Sequence, residues 1–464
     1  MPADKPAIGW VHLGLGAFFR AHGAIYVAEA MQASGGDWGI LGVSLQSPGT
    51  RDAMAKSDFG YTAVELGPDG QSSRWIEVIR DVLVAPENPQ AVLDAMADPA
   101  VHVVSLTVTE KGYCHNPATG RLNPDHPDIR HDLENPLPRS APGFLVRALQ
   151  MRKDRGLRPF TVLSCDNLPE NGRVVRGVVL DLAKLIDPDL AAWIETEGRF
   201  PATMVDRIVP ATKPEDIAFV ATATGRADAA PVMHEPFRQW VIEDDFVDGI
   251  RPDLGAVGVQ MVRDVTPFEH MKLRMLNGAH SSLAYLGYLS GHETIADAMA
   301  DPALSGFVRA LWRDEIIPAL DPPPGEDLAA YAAALAQRFS NPGIRHRTWQ
   351  IAMDGSQKLP QRLLATLSEN LAAGRASPRL ALGVAAWMRY VGGVDENGQP
   401  IEVKDPLAAR LRSLSDGADS PPEALLAVTE VFTPDQARAF AEPVSAAYDG
   451  LVADGARKSA EALA

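Results

Sequence analysis

Apolar and polar positions change rhythm along this chain. In the first half, short apolar runs alternate with longer amphipathic stretches. AIGWVHLGLG (residues 7–16) predicts a strand entering a glycine turn, FRAHGAIYVAEAMQAS (19–34) a helix, and WGILGVSL (38–45) a second strand. NPQAVLDAMAD (88–98) predicts a helix, VHVVSLTVT (101–109) a buried strand, APGFLVRALQMRKDRG (141–156) a helix and RPFTVLSCDN (158–167) another strand. Apolar, β-branched strands separated by amphipathic helices predict a parallel sheet covered by helices.

From about residue 263 strand-like runs become scarce and Ala- and Leu-rich helical segments take over. These are MKLRMLNGAHSSLAYLGYL, PALSGFVRALWRDEIIPAL, LAAYAAALAQRF, LPQRLLATLSENLAAG and PRLALGVAAWMRYV. The polar, Pro-bearing stretch HEPFRQWVIEDDFVDGIRPDL (234–254) reads as the passage between the halves. The pattern predicts an α/β domain of dinucleotide-binding type over 1–262 and a mostly α-helical domain over 263–464.

Composition narrows the function classes. Of 464 residues 46% are apolar, enough for two substantial cores, and the formal net charge of −17 opposes binding to nucleic acid or anionic membrane. Two cysteines, Cys114 and Cys165, are too few for a disulfide framework or a Cys-rich zinc site. The N-terminal stretch has no signal-peptide pattern, and no apolar run reaches the length of a membrane span. A soluble, cytoplasmic protein acting on a small molecule is predicted.

Two stretches carry chemistry. In HLGLGAFFRAH (His12 to His22), Gly14 and Gly16 occupy the first two places of a dinucleotide fingerprint, while Phe19 stands in the third. Gly14 would permit the tight turn and Gly16 the approach of a pyrophosphate. Ala17, Phe18 and Arg20, which open the helix, join them as expected cofactor contacts. Ser44 and Gln46 end the second strand, where an adenosine ribose is expected. Neither is acidic or basic and Arg51 follows, so this position alone leaves NAD and NADP open.

HMKLRMLNGAH (His270 to His280) embeds polar groups in an apolar helix face. At about 100° per residue, Glu269, Lys272, Asn277 and His280 fall within one sector. A snorkelling lysine beside a satisfied asparagine and histidine is the plainer reading. The chemical reading is alcohol oxidation. Burial is the means by which a lysine becomes a base near neutral pH; an amide can hold the developing alkoxide, and an imidazole can orient the oxygen. No metal is required. Asn167, in SCDNLPENG after a strand, is either a second amide for that oxygen or an Asx-turn. Glu110 in VTEKGYCHN, and Asp206 with Arg207 in TMVDRIVP, are substrate contacts or plain strand-end charges. RHRTWQIAMDGSQKLPQR supplies Arg345, Arg347, Gln350, Lys358 and Arg362 as donors, either for a substrate pocket or on a solvated face. His115, His126 and His131 lie in a Pro-rich loop without regular ligand spacing, and no metal site is expected there.

Taken in order, GLGAFFRAH, GVSLQSP, SLTVTEKGY, SCDNLPENG, TMVDRIVP, FRQWVIED, KLRMLNGAHS and AMDGSQK resemble the polyol-specific long-chain dehydrogenase (mannitol dehydrogenase) family along nearly the whole chain. That resemblance implies a Rossmann-type domain and a 6-phosphogluconate dehydrogenase-like helical domain. It also implies metal-independent NAD chemistry with Lys272 as the base. Asn167 and Asn277 would bind the reacting oxygen, His280 would position it, and Glu269 would pass protons. Glu110, Asp206 and Lys358 match substrate positions. Gln350 stands where polyol-oxidising members commonly carry arginine, and several segments look most like the uronate-reducing branch. The expected reaction is the reversible reduction of D-fructuronate to D-mannonate. A polyol 2-dehydrogenase of the mannitol/fructose type is the alternative, and a non-catalytic nucleotide-binding regulator a more distant one.

Overall fold

In a computed structural model describing residues 6–116 and 119–464, the chain divides into two compact units, Met1–Thr266 and Pro267–Ala464. The division falls slightly past the residue 262 boundary read from the change in texture.

The first unit is built on five parallel strands: β1 (Ile8–Leu13), β2 (Gly39–Ser44), β3 (Ile79–Val84), β4 (Val103–Leu106) and β5 (Thr161–Ser164). Their spatial order is β3-β2-β1-β4-β5, the doubly wound order of dinucleotide-binding folds. Alternate residues feed two cores. Val11, Leu13, Val43, Val104 and Val162 pack with helices Ala141–Asp154 and Asn171–Ile186 on one face. Trp10, Ile40, Val82, Val103 and Leu163 pack with Phe19, Ile25 and Tyr26 on the other. Burial on both faces explains why four of these strands read as largely apolar runs; β3 was not expected, because Arg80 and the exposed Asp81 interrupt it.

Three sequence expectations change. The segment 19–34 is not one helix: it breaks at His22 (φ −129°, ψ −87°) into Ala17–Ala21 and Gly23–Ser34. His22 Nε2 lies 2.9 Å from the Gln239 carbonyl, fixing the break. The segment expected as a passage contains the strand Gln239–Glu243, with Trp240, Val241 and Ile242 buried. It is the middle of a three-stranded sheet with Thr203–Asp206 and Gln260–Val262. A further sheet, Val232–His234 with the hairpin Tyr61–Gly67 and Gly70–Ile76, was not anticipated.

The second unit is helical. Its spine runs over 266–289, beginning with helix Thr266–Met271 and ending with Ala279–Leu289, and packs beside Pro378–Val391. Between those ends, Lys272–Gly278 winds in wide π-type turns, as do Trp312–Ile316 and Pro360–Leu364. Wide turns disturb the ordinary carbonyl pairing. Here the Trp312 indole donates to the Met275 carbonyl at 2.7 Å. Pro360 has no N–H to give an ordinary turn. Among the described residues, no helix is long and apolar enough to cross a membrane.

Candidate active site

The first unit's site begins where β1 ends. Gly14 has φ +87°, and the N–H groups of Gly14 and Leu15 both donate to the Val43 carbonyl, at 2.9 and 3.1 Å. On the opposite side a Cβ at Gly14 would strike the Thr107 carbonyl oxygen. Glycine alone meets both demands. Strand order reverses between β1 and β4, the place where such sheets receive ligands. Gly16 is exposed, with Ala17 and Phe18 half-buried after it. This bare backbone turn fits a dinucleotide pyrophosphate.

Arg20, expected at the cofactor, is instead buried: its guanidinium donates to the carbonyls of Ala230 (2.5 Å) and Gly16 (3.3 Å). It braces the turn from within. Beneath the turn His12 is buried, with Nδ1 2.7 Å from Ser105 Oγ and Nε2 2.8 Å from Thr107 Oγ1. The Trp10 indole donates to Ser105 Oγ at 2.6 Å, and Thr107 Oγ1 donates to the Gly14 carbonyl at 2.9 Å. Burial pushes the His12 pKa down to about 3, so the ring is neutral. At the end of β2, Ser44 is buried and Gln46 exposed. Arg51 is held by Asp52 and Glu87.

Around the end of β5 the organising residue is Asp166. It accepts from the backbone N–H of Val108 (3.0 Å) and Thr109 (2.9 Å) and from the Tyr113 hydroxyl (2.6 Å). These bonds hold the short helix Thr109–Gly112, on which Glu110 is exposed. Burial raises the Asp166 pKa against those bonds. Asn167, the next residue, is exposed. Asp206 is buried at the end of its strand. Arg207 donates to the carbonyls of Ala21 (2.7 Å) and Glu235 (3.0 Å). Cys114, His126 and Asp128 bring ligand atoms within 4.8 Å of one another, and His126 Nδ1 accepts the Asp128 N–H at 3.3 Å as a helix cap.

In the second unit, the helical spine buries Glu269, Lys272, Asn277 and His280 together, each no more than 8% exposed. The regular 100° step does not describe their spacing, because 272–278 is wide. A turn closed by i→i+5 bonds brings residues five apart, Lys272 and Asn277, nearer to one line than an α-helix would. Asn277 Nδ2 is buried with no hydrogen-bond partner. His280 stacks on Phe339 with ring centroids 4.9 Å apart, and His346 meets it edge-on at 4.9 Å. Burial first, then the nearby His346, Arg362, Arg338 and Lys358, hold the His280 pKa well below the usual value. His346 Nδ1 is a second buried atom without a partner, and burial lowers that ring's pKa to about 4.

The donor-rich stretch divides. Arg345 and Arg347 are exposed and lie 3.7 and 3.5 Å from Glu293, and Gln350 is exposed. Lys358 is half-buried; its Nζ donates to the Met353 carbonyl at 2.6 Å and lies 3.8 Å from Asp354. Arg362 donates to Ser281 Oγ at 3.0 Å, one residue past His280.

Two family models account for most of the chain: the mannitol dehydrogenase Rossmann domain over residues 8–255 and the mannitol dehydrogenase C-terminal domain over 264–452. The chain belongs to the mannitol dehydrogenase family. It is 50% identical to the D-mannonate oxidoreductase of Escherichia coli K12, over 98% of this chain and 95% of that one. Pseudomonas fluorescens mannitol 2-dehydrogenase, solved as a ternary complex with NAD and D-mannitol, is 40% identical. Its TM-score is 0.87 over 99% of this chain and 95% of that one. A substrate-free D-sorbitol dehydrogenase is 36% identical with a TM-score of 0.91, covering 98% and 95%. Relatives in this mannitol dehydrogenase family are thus named for both a sugar acid and neutral hexitols.

Sequence reasoning passed over Asp166 and His346, although both lay in quoted stretches. Asp166 offered a signal, a carboxylate directly after a buried strand. His346 offered none, because its significance comes from contact with His280, 66 positions away in sequence.

Proposed function

We propose that this protein is an NAD-dependent secondary-alcohol dehydrogenase that interconverts D-fructuronate and D-mannonate. The observation that carries the chemistry is one helix burying Lys272 with the unpartnered amide of Asn277 and the neutral ring of His280. In the oxidative direction Lys272 Nζ takes the hydroxyl proton. Asn277 Nδ2 donates to the oxygen as it gains negative charge, with Asn167 as the second amide. His280, uncharged, orients that oxygen, and Glu269 passes the proton from Lys272 outward. NAD, when bound, supplies the hydride acceptor. Gly14, Gly16, Ala17 and Phe18 would hold its pyrophosphate, and Ser44 and Gln46 its ribose. Glu110, Asp206, Gln350 and Lys358 are assigned to the substrate's remaining groups.

The acid substrate is supported by the 50% identity to D-mannonate oxidoreductase. The competing reading, a mannitol-type 2-dehydrogenase, draws on the 40% identity to the enzyme solved with D-mannitol. Initial rates with D-fructuronate, D-mannonate, D-fructose, D-mannitol and D-sorbitol, each with NAD(H) and NADP(H), decide between them. Higher kcat/KM for the acid pair with NAD(H) is expected. A higher value for a hexitol overturns the substrate, and no turnover of any overturns the catalytic reading.

A further inference from the structure

Two arginines of the second unit with little side-chain exposure come with carboxylates. Arg274 Nη2 lies 2.7 Å from Glu369 Oε1, and Arg379 Nη1 lies 3.2 Å from Glu315 Oε1. Arg362 is different. It is half-buried on the wide turn Pro360–Leu364, and its Nη1 donates to the neutral Ser281 hydroxyl at 3.0 Å. Among the described residues no carboxylate faces it. Burial lowers its pKa, and the one group that pulls the other way is the Tyr285 phenol. A guanidinium carries five donors and a permanent charge, and withdrawing it from water without a counter-ion is costly. An anion absent from the protein would complete the arrangement.

The position of Arg362 says which anion. Ser281 follows His280 and lies one turn past Asn277, on the same side of the helix. The wide turn carrying Arg362 packs directly on this part of the spine: a Cβ at Gly278 would stand 2.6 Å from the Arg362 carbonyl oxygen. Arg362 also acts electrostatically on His280, as do Arg338, Lys358 and His346. Lys358 has Asp354 at 3.8 Å to offset its charge, while Arg362 has no such neighbour.

We propose that the Arg362 guanidinium binds the carboxylate of the sugar-acid substrate and thereby sets the preference for acids over polyols. The inference rests on the sugar-acid reading above. Ser281 fixes one arm of the fork, and the remaining N–H groups face the carboxylate in the two-bond geometry that guanidinium favours. The substrate then brings the counter-charge, so binding an acid compensates a half-buried charge and binding a hexitol does not.

The test is a pair of variants of the full-length enzyme, Arg362→Gln and Arg362→Lys, assayed with NADH on D-fructuronate and on the neutral ketose D-fructose. Arg362→Gln is expected to raise the KM for fructuronate roughly 10–100-fold, the scale of charge-assisted hydrogen bonds. The KM for fructose should stay put. Arg362→Lys keeps the charge without the fork, so a smaller, acid-specific rise is expected; it carries the test alone if Arg362→Gln does not fold. Equal losses on both substrates would make Arg362 a scaffold residue and overturn the inference. An unchanged KM for the acid overturns it too, and leaves the sugar-acid reading intact if the wild type still prefers fructuronate. A wild type that prefers fructose sinks both.

Discussion

The glycine turn and the lysine helix use buried polar groups in opposite ways. Under the turn, both His12 ring nitrogens have partners, Ser105 serves His12 and Trp10, and Thr107 reaches the Gly14 carbonyl. On the helix, Asn277 Nδ2 and the neighbouring His346 Nδ1 are buried and unpartnered, and Arg362 lacks a counter-charge. A closed network holds the backbone in a shape that glycine alone can take. An open set is a standing cost that a bound molecule can remove. Cofactor positioning calls for the first arrangement and chemistry for the second.

The sharpest way to break this comparison is Lys272→Ala. Loss of a general base should cut turnover by roughly 10²–10⁴-fold and leave NAD binding unchanged, as read by a binding titration. Near-native turnover at every pH would remove the lysine from the mechanism. In the wild type, oxidation should rise with pH and reduction should fall.

Asn277→Ala should lower turnover by about 10²–10³-fold, as loss of one oxyanion donor does. Its thermal midpoint should stay near that of the wild type, because Nδ2 has no bond to lose in the resting protein. A large drop in stability with activity retained would make Asn277 a structural residue, like those under the turn.

Acid should weaken both regions through their histidines. Burial holds His12 and His22 down to about 3 and His234 and His346 down to about 4, with His280 also well below its ordinary value. An unfolded chain takes up these protons near pH 6.5, whereas the folded chain does not until its own lower pKa values. The stability these rings contribute is therefore full above pH 6.5 and is lost as pH falls towards about 4. Each contributes a slope of about 1.4 kcal/mol per pH unit in that window. Denaturant unfolding at pH 7 and pH 5 measures it, and a pH-independent midpoint would contradict the burial of these rings.

The smallest effect expected is that of Ser105→Ala. It strips a partner from both His12 and Trp10 and should cost about 1–3 kcal/mol, with activity per folded molecule retained. If kcat falls and stability does not, the network under the turn belongs with the chemistry.

How much of this could be read from residue order depended on what each feature rests on. Four of the five central strands were legible because burial on both faces leaves mostly apolar side chains, as in Ile40–Val43; Ile79–Val84 was not, since Arg80 and the exposed Asp81 interrupt it. Gln239–Glu243 was not, since Pro236 and Arg238 before it and the acidic residues after it gave the stretch the texture of a linker. Lys272, Asn277 and His280 announced themselves as polar residues on an apolar face. The pitch of their helix did not, because wide turns are set by partners such as Trp312 rather than by a local motif. Arg362 was visible as a donor, but a missing counter-charge is a property of neighbours. Arg345 and Arg347 looked equivalent to it until Glu293 was found facing both.

The wide segment 272–278 also bears on how this helix can change over generations. Its pitch accommodates a residue that an ordinary helix would not. Deleting one position there, such as Leu273, would let the backbone relax to regular winding and leave Lys272 four residues before Asn277, still close to the same line. Both flanks would remain good helix. Such a deletion should thus yield a folded protein that keeps Lys272 and Asn277 on one side of the helix, so the extra residue of the wide turn is one the spine can lose over generations without turning these side chains apart.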